Sequence, residues 1–445
     1  MIDLIIFFIY NIPKKCVYTQ KKGMVIAKMN ISRDLYLTKL KNKKNNKMVK
    51  IITGLRRSGK SYLLDPIFKN SLIEDGVKED HIIKVDLDSI ENRELTTDGL
   101  KLYEYIMNKI RDDDMYYILL DEIQKVNDFE SVLNSFLRKN NLDVYVTGSN
   151  SKFLSTDIIT EFRGRGDEIR VYPLSFSEFY NVYENKSKAL RDYMTYGGMP
   201  YTLYLKTTEE KSAYLNDLFQ NTYLNDIIER NKIQREDILE TIINMLSSSV
   251  GSLTNPKKIC DTFISNGYTE VDRKTVNSYI NYLQDAFLIN KTERYDIKGK
   301  KYISTPSKYY FTDIGLRNAR LNFRQQEEDH LMENIIYNEL LVRGYNVDVG
   351  VVERFEKDSA DKTIRKQLEV DFVCNQASKR YYIQSAFAIP NKEKMEQEQK
   401  SLVNIDDSFK KIIIVKDDIN PWRNEEGILI ISLEEFLLNP NSLDL

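Results

Sequence analysis

The fourteen residues from Met48 to Ser61, MVKIITGLRRSGKS, constrain this chain more than any other stretch. An apolar run, Val49 to Thr53, meets Gly54, and Gly54-x-x-x-x-Gly59-Lys60-Ser61 completes a P-loop. Glycines at both ends let the backbone curl until successive N–H groups point inward at a phosphate. The helix that follows adds its positive dipole end to the same anion. In that arrangement Lys60 reaches the β- and γ-phosphates of ATP, and the Ser61 hydroxyl takes one position on Mg²⁺. Leu55, Arg56, Arg57 and Ser58 fill the cradle between the glycines, the two arginines reading as solvated flanks rather than phosphate ligands. A chance Gly/Lys-rich turn is the bland alternative, and it loses weight as matching partners appear downstream. Pro66 falls inside the helix expected next, so a kink or early stop belongs there.

The first partner is YYILLDE, Tyr116 to Glu122. Its apolar run is that of a strand buried in a parallel sheet. Asp121 therefore emerges at the edge beside the loop, where it can hold Mg²⁺ through water. Glu122, one residue on, is placed to orient or deprotonate an attacking water. The next strand ends Val146-Thr147-Gly148-Ser149-Asn150; Thr147 or Ser149 is the candidate sensor of the γ-phosphate, against ordinary turn chemistry. Arg163-Gly164-Arg165 precedes a fifth strand. One of these arginines, Arg163 or Arg165, is the candidate finger, acting in cis or from a neighbouring subunit, against the reading of a surface arginine. A strand between the two motifs and a glutamate after the aspartate point to the ATPase branch of P-loop proteins.

At 445 residues the chain is too long for one core and predicts about two or three domains. A formal charge of −2 excludes a global basic field, so any nucleic-acid surface is local. Cys16, Cys260 and Cys374 are scattered, which fits a reducing cytosol and neither a disulfide frame nor a zinc ribbon. With His81 and His330 the only histidines, histidine-based zinc or triad chemistry is nearly excluded. LIIFFIY spans seven residues, Leu4 to Tyr10, against the roughly 20 a membrane helix needs. Globular patterning starts near Ile31, which predicts translation from Met24 or Met29 and residues 1–28 as a non-native or disordered extension.

Strands alternate with helices over 29–176, predicting a parallel α/β sheet with right-handed crossovers. Residues 177–235 read as a helical lid or linker broken at YGGMP, Tyr196 to Pro200. Helices at 236–249, 256–265 and 272–285, then a hairpin with KGK at its tip, give the order of a winged helix over 236–322. Asp272 is the N-cap of its third helix. Residues 323–445 change pattern again: a helix closed by Gly344, strands at 345–353, 368–375 and 380–389, a helix at 392–404 and a strand at 410–416.

GLRRSGKSYLL, LLDEIQKV, VYVTGSNSKFLS, RGRGDEIRVYPLSFSEF, YGGMP and KYYFTDIGLRN together resemble a large bacterial and archaeal family. Its members are described as AAA+ ATP-binding proteins with a C-terminal domain of unknown function. The resemblance covers nearly all of 29–420. It implies an AAA+-like nucleotide domain, a winged helix and a restriction-endonuclease-like C-terminal fold of the PD-(D/E)xK type. Such nucleases set a helix glutamate, a strand aspartate and an (E)xK around Mg²⁺. Glu333 suits the helix position and Asp371 the aspartate, with Glu369 two residues before it. Gln384 stands where the second carboxylate belongs and Ala386 where the lysine belongs, which predicts a degenerate site kept for binding or regulation.

Residues 256–308 hold ten Lys and Arg against six acids, a net of +4, which suits phosphate contact by a wing. A winged helix that merely packs on the ATPase is the competing reading. The leading expectation is a cytoplasmic Mg²⁺-dependent ATPase whose nucleotide state controls its downstream modules on DNA. An ATP-gated protein switch with little turnover, acting on a second copy or a protein partner, is the alternative. An ATP-dependent DNA nuclease is the third, and no membrane partner is expected.

Overall fold

A computed structural model describes residues 31–148, 164–265, 267, 271–324, 327–357 and 363–445. The expected extension at 1–28, Ser149 and Arg163 lie outside the described residues.

Five segments form the first sheet: β1 (Val49–Thr53), β2 (Ile82–Asp86), β3 (Tyr116–Asp121), β4 (Leu142–Thr147) and β5 (Gly166–Arg170). Their order is β2-β3-β4-β1-β5, and every pair is parallel. Every residue of β1 and β3 is buried, as continuous apolar runs demand when helices cover both faces. On one face Leu63, Leu64, Phe68 and Leu72, from the helix after the P-loop, pack with Tyr36 and Leu40 against Ile52, Leu119 and Tyr145. That helix breaks at Asp65 (φ −146°, ψ 117°), the residue before Pro66, as expected from the clash of a proline ring with a preceding helical residue.

The lid segment is helical at Phe176–Val182, Lys186–Tyr196, Thr208–Asp217 and Asn225–Asn231. The next three helices, Glu236–Ser248, Pro256–Ser265 and Arg273–Asp285, lead into an antiparallel hairpin of β6 (Ile289–Asp296) and β7 (Lys301–Phe311). Asp272 caps the third helix through Thr275 N, 2.7 Å, as expected.

The C-terminal region supplies the helix Glu328–Val342, then β8 (Asn346–Lys357), β9 (Thr363–Gln376), β10 (Lys379–Ala386), the helix Lys392–Val403 and β11 (Lys410–Val415). The chain then continues past the expected last strand into β12 (Trp422–Arg423), β13 (Leu429–Ser432) and a helix at Leu433–Leu438.

The hairpin does not stand apart from this region. β6 pairs in parallel with β8 through Arg294, Tyr295 and Asp296, and the second sheet runs β12-β13-β11-β10-β9-β8-β6-β7. The boundary expected after residue 322 therefore falls between elements that share one hydrogen-bonded sheet. Ile297 of the hairpin packs with Val352, Val370 and Tyr382 in the same core.

Candidate nucleotide site

The P-loop leaves the C-terminal end of β1 and curls as its glycines require. Gly54 has φ +131°, and a Cβ there would lie 2.0 Å from Val171 O; Gly59 has φ +97°. Both values favour glycine over any L side chain. Lys60 is buried, and its Nζ donates to Gly54 O and Leu55 O, both at 3.0 Å. Burial lowers its pKa to about 8, with Arg56 acting the same way and Glu122 and Asp121 opposing. The ammonium is thus held against the loop's own carbonyls.

Two neighbouring strands close the site. Ser61 Oγ donates to Asp121 Oδ1 at 3.0 Å and Thr147 Oγ1 to the same oxygen at 2.5 Å. Thr147 Oγ1 also accepts from Glu122 N at 2.9 Å. Thr147 therefore braces both acids from β4. Glu122 sits in the left-handed region at φ 57°, an uncommon conformation for a non-glycine residue. Its carboxylate accepts from Gln124 Nε2. A hydroxyl and a carboxylate at 3.0 Å beside a phosphate cradle form a donor set that fits Mg²⁺, a hard cation with oxygen ligands.

Leu55 and Ser58 are buried supports; Ser58 Oγ reaches Val171 O at 3.4 Å. Arg56 and Arg57 are exposed. Arg56 Nη1 lies 3.8 Å from Asp226 Oδ1 in the lid, consistent with a flank rather than a ligand.

Arg165 requires a correction. It is exposed at the start of β5, and its carbonyl accepts from Val49 N at 2.9 Å. Val49 begins β1, whereas the P-loop follows its end. At ~3.3 Å per residue, roughly 13 Å of strand separates the two edges. Arg165 is therefore out of reach of its own chain's phosphates, and a role in cis is excluded.

Two further residues hold the loop and a third holds the YGGMP turn beside it, and none was singled out as a site residue. Arg33, buried, donates to Ser58 O (3.2 Å) and Tyr172 O (2.7 Å) and pairs with Glu178 at 3.1 Å. Tyr223 OH, from the lid, donates to Arg56 O at 2.6 Å. Asp313 lies just after β7, and its Oδ2 accepts from Gly198 N at 2.8 Å while Oδ1 accepts from Leu316 N at 3.0 Å. YGGMP thus lies against both the P-loop and the turn after β7. Pro200 Cγ lies 3.9 Å from where a Gly59 Cβ would be, and a Gly198 Cβ would meet Leu174 O at 2.1 Å. A buried arginine in ISRDLY and a charged residue in FTDIG were the available signals, but partnership across 25 to 139 residues leaves no local pattern.

Of the C-terminal candidates, Glu333 and Asp371 come together and Glu369 joins them around Lys308. Gln384 goes elsewhere: its Oε1 accepts from Ser401 Oγ at 3.3 Å. Among the described residues, the set whose ligand atoms all lie within 4.8 Å of one another is His81, Asp112 and Asp114. It stands at the other end of the first sheet, and Lys78 pairs with Asp114 at 3.3 Å.

Residues 46–180 match the family model described as AAA domain, and residues 187–327 match a domain of unknown function (DUF8612). An uncharacterized protein of Haemophilus influenzae is 34% identical over 420 residues, covering 93% of this chain and all of that one. The chain belongs to the family of that protein. The uncharacterized protein MJ1544 of Methanocaldococcus jannaschii is 27% identical over 360 residues, covering 77% of this chain and 74% of that one. Among solved structures, the Walker-type ATPase PABY2304 of Pyrococcus abyssi is similar, at TM-score 0.46 and 14% identity, over 66% of this chain and 96% of that one. The Aeropyrum pernix ORC1 protein in complex with DNA is similar at TM-score 0.30 and 11% identity, over 65% and 91%. This family member carries an AAA-type P-loop nucleotide-binding fold. None of its described helices is long and apolar enough to cross a membrane.

Proposed function

We propose that this protein is a cytoplasmic Mg²⁺-dependent ATPase whose nucleotide state controls its C-terminal half, a winged-helix-like segment joined to a nuclease-like fold without nuclease activity, on DNA. The observation that carries the reading is the meeting of Ser61, Asp121, Glu122 and Thr147 at the mouth of the P-loop. Lys60 and the loop N–H groups bind and orient the triphosphate, Ser61 and Asp121 hold the metal, and Glu122 takes the proton of the attacking water. When bound, Mg²⁺ neutralises charge on the β- and γ-phosphates. The path to the C-terminal half is the lid, where Tyr223 bonds the loop and Gly198 bonds Asp313. Arg170 of β5 adds a second route, donating to Asn290 of β6 at 2.7 Å. The +4 excess over 256–308 supports a nucleic-acid partner.

The test is steady-state phosphate release with no polymer, single-stranded DNA, duplex DNA and RNA. Stimulation by DNA that is lost in Lys60→Ala is the expected result. Tight ATP binding with no release above that of Lys60→Ala under any condition would replace this reading with a nucleotide-gated switch for a protein partner or a second copy.

A further inference from the structure

The nuclease-like reading of the C-terminal sheet implies a divalent cation among Glu333, Asp371 and their neighbours. The residues present do not fit one. Lys308, on β7, is buried, with its side chain 4% exposed, and its Nζ lies 2.8 Å from Glu333 Oε1, 2.7 Å from Glu369 Oε1 and 3.7 Å from Asp371 Oδ1. Three carboxylates from a helix and a strand thus surround one ammonium. Two of these carboxylates accept further hydrogen bonds. Tyr310 OH donates to Glu333 Oε1 at 2.6 Å, and Ser385 N donates to Asp371 Oδ2 at 2.8 Å. The near side is closed by Gly251, where a Cβ would sit 3.1 Å from Glu333 Oε1.

A tetrahedral ammonium with three N–H donors matches this arrangement. An oxygen-seeking divalent ion needs about six ligands at roughly 2.0–2.6 Å. It would also have to displace a charge tethered to the chain and leave it buried without partners, which is strongly unfavourable. Burial opposes the charge on Lys308, but Glu333, Asp371 and Glu369 outweigh it and raise its pKa. Asp371 is pushed upward by burial and by Glu333, with Lys308 opposing.

We propose that Lys308 is a built-in replacement for a metal ion. It occupies the centre of the Glu333, Glu369 and Asp371 cluster, keeps divalent cations out, and ties the hairpin strand β7 to the helix and strand that carry the acids. The chemistry is that of an oxygen-ligand site for Mg²⁺- or Mn²⁺-like ions filled by the protein itself. The inference is independent of ATP hydrolysis, so nucleotide-free full-length protein is used.

The experiment is Mn²⁺ binding, counted by electron paramagnetic resonance. Wild type and Asp371→Asn should hold the same number of Mn²⁺ ions, because the cluster of the wild type takes none. Lys308→Ala should gain one ion per chain, and Lys308→Ala/Asp371→Asn should lose it again. Lys308→Met, which keeps most of the aliphatic stem, provides a second readout: millimolar Mn²⁺ should raise its Tm more than that of the wild type. A wild-type protein that loses an ion on Asp371→Asn would overturn the proposal. So would a folded Lys308→Ala or Lys308→Met protein that shows neither extra Mn²⁺ nor an enhanced Tm response.

Discussion

Lys60 and Glu122 illustrate how far single residues carry the chemistry. A triphosphate binds the protonated form of Lys60, whose pKa burial brings to about 8 in the free protein. As pH rises above that value the free protein loses the proton that binding must then restore. Affinity for ATP should be flat below about pH 7 and weaken by up to about tenfold per pH unit above 8. Titration of a fluorescent ATP analogue at pH 7, 8 and 9 checks this, and Lys60→Arg, if it still binds, should lack the dependence. Glu122→Gln keeps the size of the side chain and removes the base. It should bind ATP normally and release phosphate at least about 100-fold more slowly; unchanged turnover would remove Glu122 from that role. These residues are legible in the sequence because Gly54 to Ser61 and Tyr116 to Glu122 are contiguous patterns. Lys308 was not. Its charge is readable, and it counts among the ten basic residues of 256–308, yet burial against Glu333 and Glu369 depends on partners 25 and 61 positions away. The alanine at 386 marks one missing lysine, but no local pattern announces that another strand supplies a cation.

At the scale of elements, YGGMP meets the turn after β7 through backbone glycines. Leu174 N donates to Gly198 O at 2.8 Å while Gly198 N donates to Asp313, so Gly198→Ala drives a methyl into backbone. It should cost about 2 kcal/mol or more and lower Tm by about 2 °C or more, measured by calorimetry. Asp313 is fully buried, and burial raises its pKa from 3.8 to about 6 against three backbone N–H groups, those of Gly198, Leu316 and Gly315. Because the folded-state value is the higher one, its contribution to stability is complete below about pH 4 and is lost as pH rises through 6. Denaturant unfolding at pH 4 to 7 should show that decline, and Asp313→Asn should reduce it. The strands themselves were readable from apolar runs and the helices from their periodicity. β12 and β13 were missed because Leu429–Ser432 is a run of four residues, too short to declare itself without the sheet that β11 offers it. Arg165 shows the converse, a residue whose sequence position beside a strand says nothing about which edge of the sheet it occupies.

For the whole molecule, the second sheet decides what folds with what. The pattern change near 323 suggests a domain boundary, but strand pairing is a long-range property: Arg294 to Asp296 meet Val349 to Val351 across a stretch that includes two complete helices. A chain ended after Asn322 would expose the inner edge of β6 along with the apolar faces that Val352 and Val370 cover. Such a truncation should aggregate or lose cooperative unfolding, whereas independent modules would leave a soluble, folded product. Light scattering and circular dichroism on the truncated chain distinguish the two outcomes.

The interior place of β6 has a practical bearing on engineering and on descent. Since the hairpin is woven into the same fabric as the segments that follow it, the two halves can be exchanged between relatives only if the join is made upstream of Glu236. Chimeras spliced there should inherit the downstream half intact, and those spliced at 322 should inherit a torn one.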